Sequence, residues 1–176
     1  MEEKKRSSTW FEWAQIICGV AVLMALIYTF LFRIVDVDGS SMEATLFDGE
    51  RLLLSSMPYS PSYEDIVVIS RGEKQEPLIK RVIGLPSDTI AVDEVTGDVY
   101  RNGELLNEPY IRVPTATERM TGPVTVPDGQ LFVMGDNRVA NHSLDSRTFG
   151  CIAIEDVVGK AVYRIMPFDR FGGIYQ

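Results

Sequence analysis

The longest apolar run of the chain lies near its N-terminus. The twenty residues 13–32, WAQIICGVAVLMALIYTFLF, carry no charged side chain. As a helix they extend about 30 Å, which is the thickness of the hydrocarbon core of a bilayer. Trp10 and Trp13 at one end and Tyr28 at the other suit the two membrane interfaces. We therefore predict a transmembrane helix over residues 13–32.

A cleavable signal peptide is the alternative interpretation of this run. The run is longer than a typical signal-peptide core, however, and no small-x-small cleavage pattern follows Phe32. The basic residues 4–6 precede the run, whereas a lone Arg33 follows it. This asymmetry predicts a retained anchor with residues 1–12 in the cytoplasm and residues 33–176 outside it.

Beyond the anchor the pattern becomes that of short β-strands. Runs rich in β-branched residues alternate with turn clusters at Arg51–Ser55, Asp65–Ser70, Ile79–Gly84, Leu131–Met134 and Val157–Ile165. Asn102-Gly103 between strand-like flanks predicts a hairpin. No long amphipathic helix is predicted after residue 32. We expect a mainly β domain of nine or ten strands over residues 33–176, an antiparallel sandwich or barrel-like sheet. The C-terminal aromatic residues Phe168, Phe171 and Tyr175 are expected in its core, and contact with lipid beside the anchor is the alternative.

The charge of this domain limits its partners. The chain has 17 basic and 25 acidic residues, and residues 1–12 hold three of each, so the net charge of −8 belongs to residues 33–176. Such an acidic domain argues against nucleic acid as a partner. Cys18 lies in the apolar run and Cys151 in the polar domain, which argues against a disulfide between them, and His142 is the only histidine. We predict no metal, nucleotide or flavin.

The first candidate for chemistry is the stretch VDGSSMEATL, residues 37–46. A serine on a glycine-containing turn presents its hydroxyl to one side, and neighbouring backbone N–H groups can point at a developing oxyanion. The alternative is structural, because Ser41 followed by Glu43 is also typical of a helix N-cap.

The second candidate is Lys80, in LIKRVIGLPSD. Strand alternation puts Leu78, Lys80 and Val82 on one face of a strand and Ile79, Arg81 and Ile83 on the other, so one of the two cations shares a face with apolar residues. A snorkelling lysine at a sheet edge is the structural alternative. A buried amine has a lowered pKa, and it can then act as a base near neutral pH toward a serine hydroxyl.

The third candidate is GDNRVANHSLDSRTFG, residues 135–150. Asp136 and Arg138, followed by Asp145 and Arg147, can satisfy one another in bidentate pairs and support a nearby site. The alternative is a turn-rich surface loop. His142 has polar neighbours, which favours a solvated side chain.

Taken in this order behind an N-terminal anchor, SSMEATL, IKRVIGLPSD, GDNR and SLDSR with FG resemble type I signal peptidases, most closely the short, single-anchor form of Gram-positive bacteria. The resemblance implies a membrane-bound serine endopeptidase with a Ser-Lys dyad. Such an enzyme removes signal peptides from exported precursors, delivered by the export machinery, after Ala-x-Ala sites on the outer membrane face. Its partners are then these precursors and the membrane lipids.

The resemblance also assigns roles to individual residues. Ser41 matches the nucleophile, and Lys80 matches the general base. The backbone at Gly39 and Ser41 matches the oxyanion hole. Ser143 matches a serine that orients the lysine, and the supporting network matches Asp145, Arg147 and Asp136. Positions lining shallow apolar substrate pockets match Val37, Met42, Leu46 and Ile79.

Four departures from the family pattern stand in this sequence. Ala44, Glu64 and Ser87 replace residues that shape turns, and four residues rather than two, Val139–His142, separate Arg138 from Ser143. The insertion bears directly on where Ser143 and His142 lie. Two alternatives keep part of the picture: a specialised pilin-processing enzyme with the same dyad, and an anchored, non-catalytic β module that binds a secreted partner.

Overall fold

A computed structural model describes residues 3–72, 75–117 and 122–175. Helix α1, Glu3–Leu31, runs directly into strand β1, Phe32–Asp36. Within α1 the span Thr9–Leu26 is long and apolar enough to cross a membrane, and its side chains are exposed. The helix starts well before the predicted Trp13, because the polar residues that precede the apolar run continue the same helix.

The remaining elements are mostly short strands. After β1 they are β2 Arg51–Ser55, β3 Ile66–Ile69, β4 Leu78–Gly84, β5 Thr89–Val92, β6 Val99–Arg101, β7 Glu104–Leu105, β8 Val124–Thr125, β9 Gln130–Met134, β10 Ile152–Ala153, β11 Val157–Met166 and β12 Gly172–Gly173. Helix α2 covers Ser146–Phe149, and 3₁₀ turns cover Ile154–Asp156 and Phe168–Arg170.

Two antiparallel sheets contain these strands. The larger has the order β1-β2-β11-β3-β4-β9-β10, with β12 also paired to β11, and the smaller has the order β7-β6-β5-β8. The predicted mainly β, antiparallel class is therefore confirmed. The predicted hairpin joins β6 to β7 through Asn102 and Gly103, both at positive φ. The described residues form more strands than predicted because several two-residue strands are too short to show a pattern.

Strand β4 lies between three buried apolar clusters. Ile79 packs against the first, which contains Met42 and Leu46. Ile83 belongs to the second and Val82 to the third. Each such side chain contributes about 1.5–3 kcal/mol when it is fully buried. The strand is thus fixed from several sides, and any polar side chain on it is carried into the interior.

The C-terminal aromatic residues correct one expectation. Phe168 and Phe171 are 78% and 63% exposed, and Tyr175 is 39% exposed. They follow the end of β11, where the chain turns back and β12 pairs with β11. The predicted core position is therefore wrong for Phe168 and Phe171. The Tyr175 hydroxyl, in contrast, accepts from the Ile66 N–H at 3.0 Å and donates to the Ala161 carbonyl at 2.8 Å.

Candidate active site

Ser41 lies on a loop that is closed at its base. The N–H of Val37 donates to the Glu50 carbonyl at 2.8 Å, and the N–H of Gly49 donates to the Val37 carbonyl at 2.9 Å. After Ser41 the chain makes a tight turn, in which the N–H groups of Thr45 and Leu46 both donate to the Met42 carbonyl. Since turns rather than a helix follow Ser41, the N-cap interpretation is wrong.

The hydroxyl of Ser41 meets the amine of Lys80. Nζ of Lys80 lies 2.6 Å from Oγ of Ser41, and it also donates to the Ile79 carbonyl at 2.8 Å. Lys80 is only 1% exposed. Within residues 3–72, 75–117 and 122–175, no carboxylate forms an ion pair with it. The snorkelling alternative is therefore wrong, and the structure holds an isolated, buried amine against an alcohol.

Burial changes the acid–base behaviour of this amine. Removal from water lowers the pKa of Lys80 from its usual 10.5 to about 8, while the more distant charges of Asp145 and Asp136 oppose that shift. With this pKa about one lysine in ten is neutral at pH 7, instead of a trace. A neutral amine accepts a proton, so Lys80 can serve as a base toward Ser41.

Arg81, the next residue of β4, has the opposite environment. Its Nε and Nη2 donate to the two oxygens of Asp136 at 2.8 and 2.6 Å, and its Nη1 donates to the Glu64 carbonyl. Burial lowers the pKa of Arg81, but the hydrogen bonds and charge of Asp136 raise it by more, so that it is raised overall. Asp136 also accepts a hydrogen bond from the hydroxyl of Thr45, on the Ser41 loop.

Asp145 organises a second buried group. It accepts hydrogen bonds from the Ser143 hydroxyl at 2.7 Å, from the Gly135 N–H at 3.2 Å, and from Nε and Nη2 of Arg147 at 2.9 and 2.8 Å. Burial raises the pKa of Asp145, but the bonds and charge of Arg147 lower it by more. The carboxylate therefore stays charged close to Lys80.

The expected mutual pairing of the two Asp/Arg clusters is only half correct. Arg147 pairs with Asp145, but Asp136 pairs with Arg81 on β4. Arg138, which is fully buried, pairs instead with Glu108 and donates to the Thr115 hydroxyl at 2.7 Å. The partners differ because the sheet brings β4 and residues 108–115 next to this segment, whereas sequence proximity alone suggested a local network.

The segment after β9 contacts the Ser41 loop directly. The N–H of Asn137 donates to the Ser41 carbonyl, and its side-chain amide donates to the Ser40 carbonyl, both at 3.1 Å. A Cβ on Gly135 would collide with the Ser41 carbonyl and with Ser143, so only glycine permits this approach. The segment and the Ser41 loop are therefore packed backbone to backbone.

The two additional residues between Arg138 and Ser143 do not displace Ser143 from the interior. Ser143 is 2% exposed, whereas Asn141 and His142 are exposed. Nδ1 of His142 lies 2.9 Å from the Ala140 carbonyl of its own loop. The extra residues therefore bulge toward the surface, in line with the solvated position expected for His142.

Of the two expected oxyanion donors, one is engaged. Gly39 has φ +82°, which explains the glycine, and its N–H donates to Oδ1 of Asp48 at 2.8 Å. The N–H of Ser41 donates no hydrogen bond to any residue that the structure describes. In this conformation the free donor is therefore that of Ser41.

A cavity of about 740 Å³ opens beside Ser41 and Lys80. Residues 35–39 form one wall and residues 77–80 form the other, with Met42 and Val68 between them. Of the expected pocket residues, Val37, Met42 and Ile79 line this cavity. Leu46 does not, because it is fully buried in the cluster behind Val37 and Met42.

Several residues of the site had no recognisable signal in the sequence. Thr45, Glu64 and Glu108 support Asp136, Arg81 and Arg138 from distant parts of the chain. Glu50 and Arg164 form a buried ion pair behind the Ser41 loop. Of these residues only Arg164, between Tyr163 and Ile165, is a charged residue flanked by apolar ones.

The chain is similar to known proteins of one family. The family model described as "Signal peptidase, peptidase S26" matches residues 10–166. Signal peptidase I of Bacillus licheniformis is 39% identical over 96% of both chains. Signal peptidase I T of Bacillus subtilis strain 168 is 37% identical, over 95% of this chain and 91% of that one. A crystal structure of a signal peptidase I from Enterococcus faecalis V583 is 30% identical, with a TM-score of 0.47, and covers 58% of this chain and 97% of that one.

Proposed function

Because the chain belongs to the signal peptidase family, peptidase S26, and is therefore a serine peptidase that cleaves signal peptides of exported precursors, we propose that Ser41 and Lys80 are its catalytic dyad. The observation that carries this proposal is the 2.6 Å contact between the Ser41 hydroxyl and a buried amine with a lowered pKa. An unpaired lysine in the interior is costly, and a chemical role accounts for it.

In the proposed reaction neutral Lys80 removes the hydroxyl proton of Ser41 as Oγ attacks the scissile carbonyl carbon. The carbon–oxygen double bond opens, and its electron pair moves onto the carbonyl oxygen, which becomes the oxyanion. When the tetrahedral intermediate collapses, the C–N bond breaks. The Lys80 ammonium then gives its proton to the leaving amine, which leaves an ester on Ser41 and a neutral lysine.

The same residues complete hydrolysis. Lys80 removes a proton from water as the water attacks the ester carbonyl, and it returns that proton to Ser41 Oγ. The free N–H of Ser41 stabilises the oxyanion in both steps. The N–H of Gly39 becomes a second donor only if its bond to Asp48 opens.

The remaining site residues have supporting roles in this proposal. Ser143 and Asp145 form a buried, hydrogen-bonded pair near the lysine, and Arg147 keeps Asp145 charged. Asp136 accepts hydrogen bonds from Arg81 of β4 and from Thr45 of the Ser41 loop, and thereby links the two segments that carry the dyad. Ser143 in particular is proposed to orient the amine.

The cavity supports a preference for small side chains beside the cut. Val37, Met42 and Ile79 give it apolar walls, and Val37 and Met42 are themselves held by the core beneath them. Apolar walls beside the dyad favour a small apolar side chain such as alanine over a charged one at the cut. We therefore propose cleavage after Ala-x-Ala sites.

The proposed placement in the membrane follows from helix α1. Residues 1–12 lie in the cytoplasm, residues 13–32 span the bilayer, and residues 33–176 form the catalytic domain outside. Exposed apolar side chains along α1 and the basic residues 4–6 support this orientation. Protease added outside spheroplasts is expected to digest the domain; a fully protected chain contradicts this orientation.

The dyad is tested with the full chain in detergent and a precursor bearing an Ala-x-Ala site. Ser41→Ala is expected to abolish cleavage, while the neighbouring Ser40→Ala, the matched control, keeps close to the parental rate. Mass spectrometry of the new N-terminus defines the cleaved bond. Parental activity in Ser41→Ala removes the proposal, and an inactive parental protein that does not react with an acylating inhibitor favours the non-catalytic binding module.

A further inference from the structure

The Ser41 loop is held from behind by a buried charged group that the proposed reaction does not use. Arg164 of β11 donates from Nη2 to the Thr45 carbonyl at 2.7 Å, and from Nε to Oε2 of Glu50 at 2.7 Å. Arg170 donates to the other oxygen of Glu50 at 2.6 Å. Glu50 is 2% exposed and Arg164 is 8% exposed.

These contacts reach two separate points of one loop. The backbone of Glu50 closes the base of the loop, because its carbonyl accepts from the Val37 N–H. Its side chain fixes the guanidinium of Arg164, which in turn holds the carbonyl of Thr45, four residues after the serine. The hydroxyl of Thr45 also donates to Asp136. The turn after Ser41 is thus held through both the backbone and the side chain of Thr45.

Stability alone is a weak reason for such a group. A buried ion pair gives up hydration, and a packed apolar group of the same size is often equally stable. The planar guanidinium of an arginine, with its fixed donors, does provide geometric precision, which point charges and apolar contacts lack. Precision matters at this place, since a displacement of about 1 Å in a reacting group can cost about 100-fold in rate.

We propose that Arg164, fixed by Glu50, is a positioning residue that holds the Ser41 hydroxyl against Lys80 through the Thr45 carbonyl. The inference rests on the proposed role of Ser41 as nucleophile. Arg164 touches neither the amine nor the cavity beside it, so its effect is on the geometry of the loop alone.

The test measures acylation of Ser41 in the full chain by a lipophilic β-lactam, followed by mass spectrometry at saturating probe. The rate constant reports the geometry of the site, whereas the amplitude reports the fraction of molecules that are folded. Arg164→Gln is expected to lower the rate constant about 10- to 100-fold with nearly full amplitude. Arg164→Lys, which keeps the charge but not the fork of donors, is expected to fall between this variant and the parental protein.

Arg112→Gln is the matched control. Arg112 and Arg164 both line a second cavity, beside Tyr110 and Tyr175, but Arg112 makes no hydrogen bond to the Ser41 loop among the described residues. Its rate constant is expected to equal the parental one.

A parental rate constant in Arg164→Gln, whatever its amplitude, overturns the inference. If that variant gives no folded protein, Arg170→Gln, which loosens Glu50 from outside, decides: a several-fold slower rate supports the inference and an unchanged rate overturns it. Failure of the parental protein to acylate at Ser41 instead overturns the proposed function.

Discussion

Two adjacent residues of β4 show how differently one strand can bury a positive charge. Lys80 and Arg81 are 1% and 4% exposed. Arg81 makes two hydrogen bonds to Asp136 and a third to a backbone carbonyl, and its pKa is raised. Lys80 has a hydroxyl and a carbonyl as partners, no paired carboxylate in the part of the chain that the structure describes, and a pKa lowered to about 8.

The difference separates a fixed charge from a titrating one. A bidentate carboxylate compensates Arg81 for the loss of water and keeps it an ion at every accessible pH. Lys80 lacks that compensation, so its charged ammonium form and its neutral amine form are close in free energy. The carboxylates that could neutralise it, Asp136 and Asp145, are already engaged by Arg81 and Arg147. The arginines therefore keep Lys80 available for proton transfer.

The largest effect that separates the two cations is expected from Lys80→Met. Loss of the base should lower kcat/KM by about 10³- to 10⁴-fold, near the upper range of a general base. The free energy of unfolding should hold or rise, because a methionine of similar length carries no charge to desolvate. Precursor cleavage and a urea titration in detergent measure the two quantities. Strong destabilisation of this variant would mean that the lysine is structural, like its neighbour.

Asp136→Asn is expected to affect mainly the stability of the fold, whereas Lys80→Met affects mainly activity. Removing one charge of the Arg81 pair leaves a buried guanidinium uncompensated, which should lower the free energy of unfolding by about 3–5 kcal/mol. Activity should fall as well, since Thr45 loses its carboxylate partner. The control is Asp36→Asn, which breaks the exposed Asp36–Arg51 pair and should cost less than about 1 kcal/mol. Equal urea midpoints for the two variants would show that burial does not distinguish these pairs.

The sequence predicted those parts of the site that depend on local pattern. Lys80 is flanked by apolar strand residues, and Ser41 follows a glycine turn, so both are visible without a structure. The ion pairs of Arg138 with Glu108 and of Arg164 with Glu50 join residues 30 and 114 positions apart. The first pair joins two loops, and the second requires β11 to pair with β2; strand patterns reveal neither arrangement. Leu46 was assigned to the cavity by the family resemblance alone, and it is instead buried behind Val37 and Met42, since no alternation rule governs which way a turn residue faces.

The pH dependence of the reaction gives the smallest effect and the finest distinction between the two cations. Since only neutral Lys80 accepts the proton of Ser41, kcat/KM should rise about tenfold from pH 6 to 7, continue to rise through about 8, and level off above it.

The lowered pKa of Lys80 also has a consequence for stability. The folded-state pKa of about 8 lies below the unfolded value near 10.5, so the unfolded chain binds more protons between these values, and this group makes the free energy of unfolding rise with pH in that window. Lys80→Met should remove this rise, while Arg112→Gln should leave it unchanged. A flat kcat/KM profile from pH 6 to 9 in the parental protein would mean that the amine beside Ser41 is not the group that takes its proton.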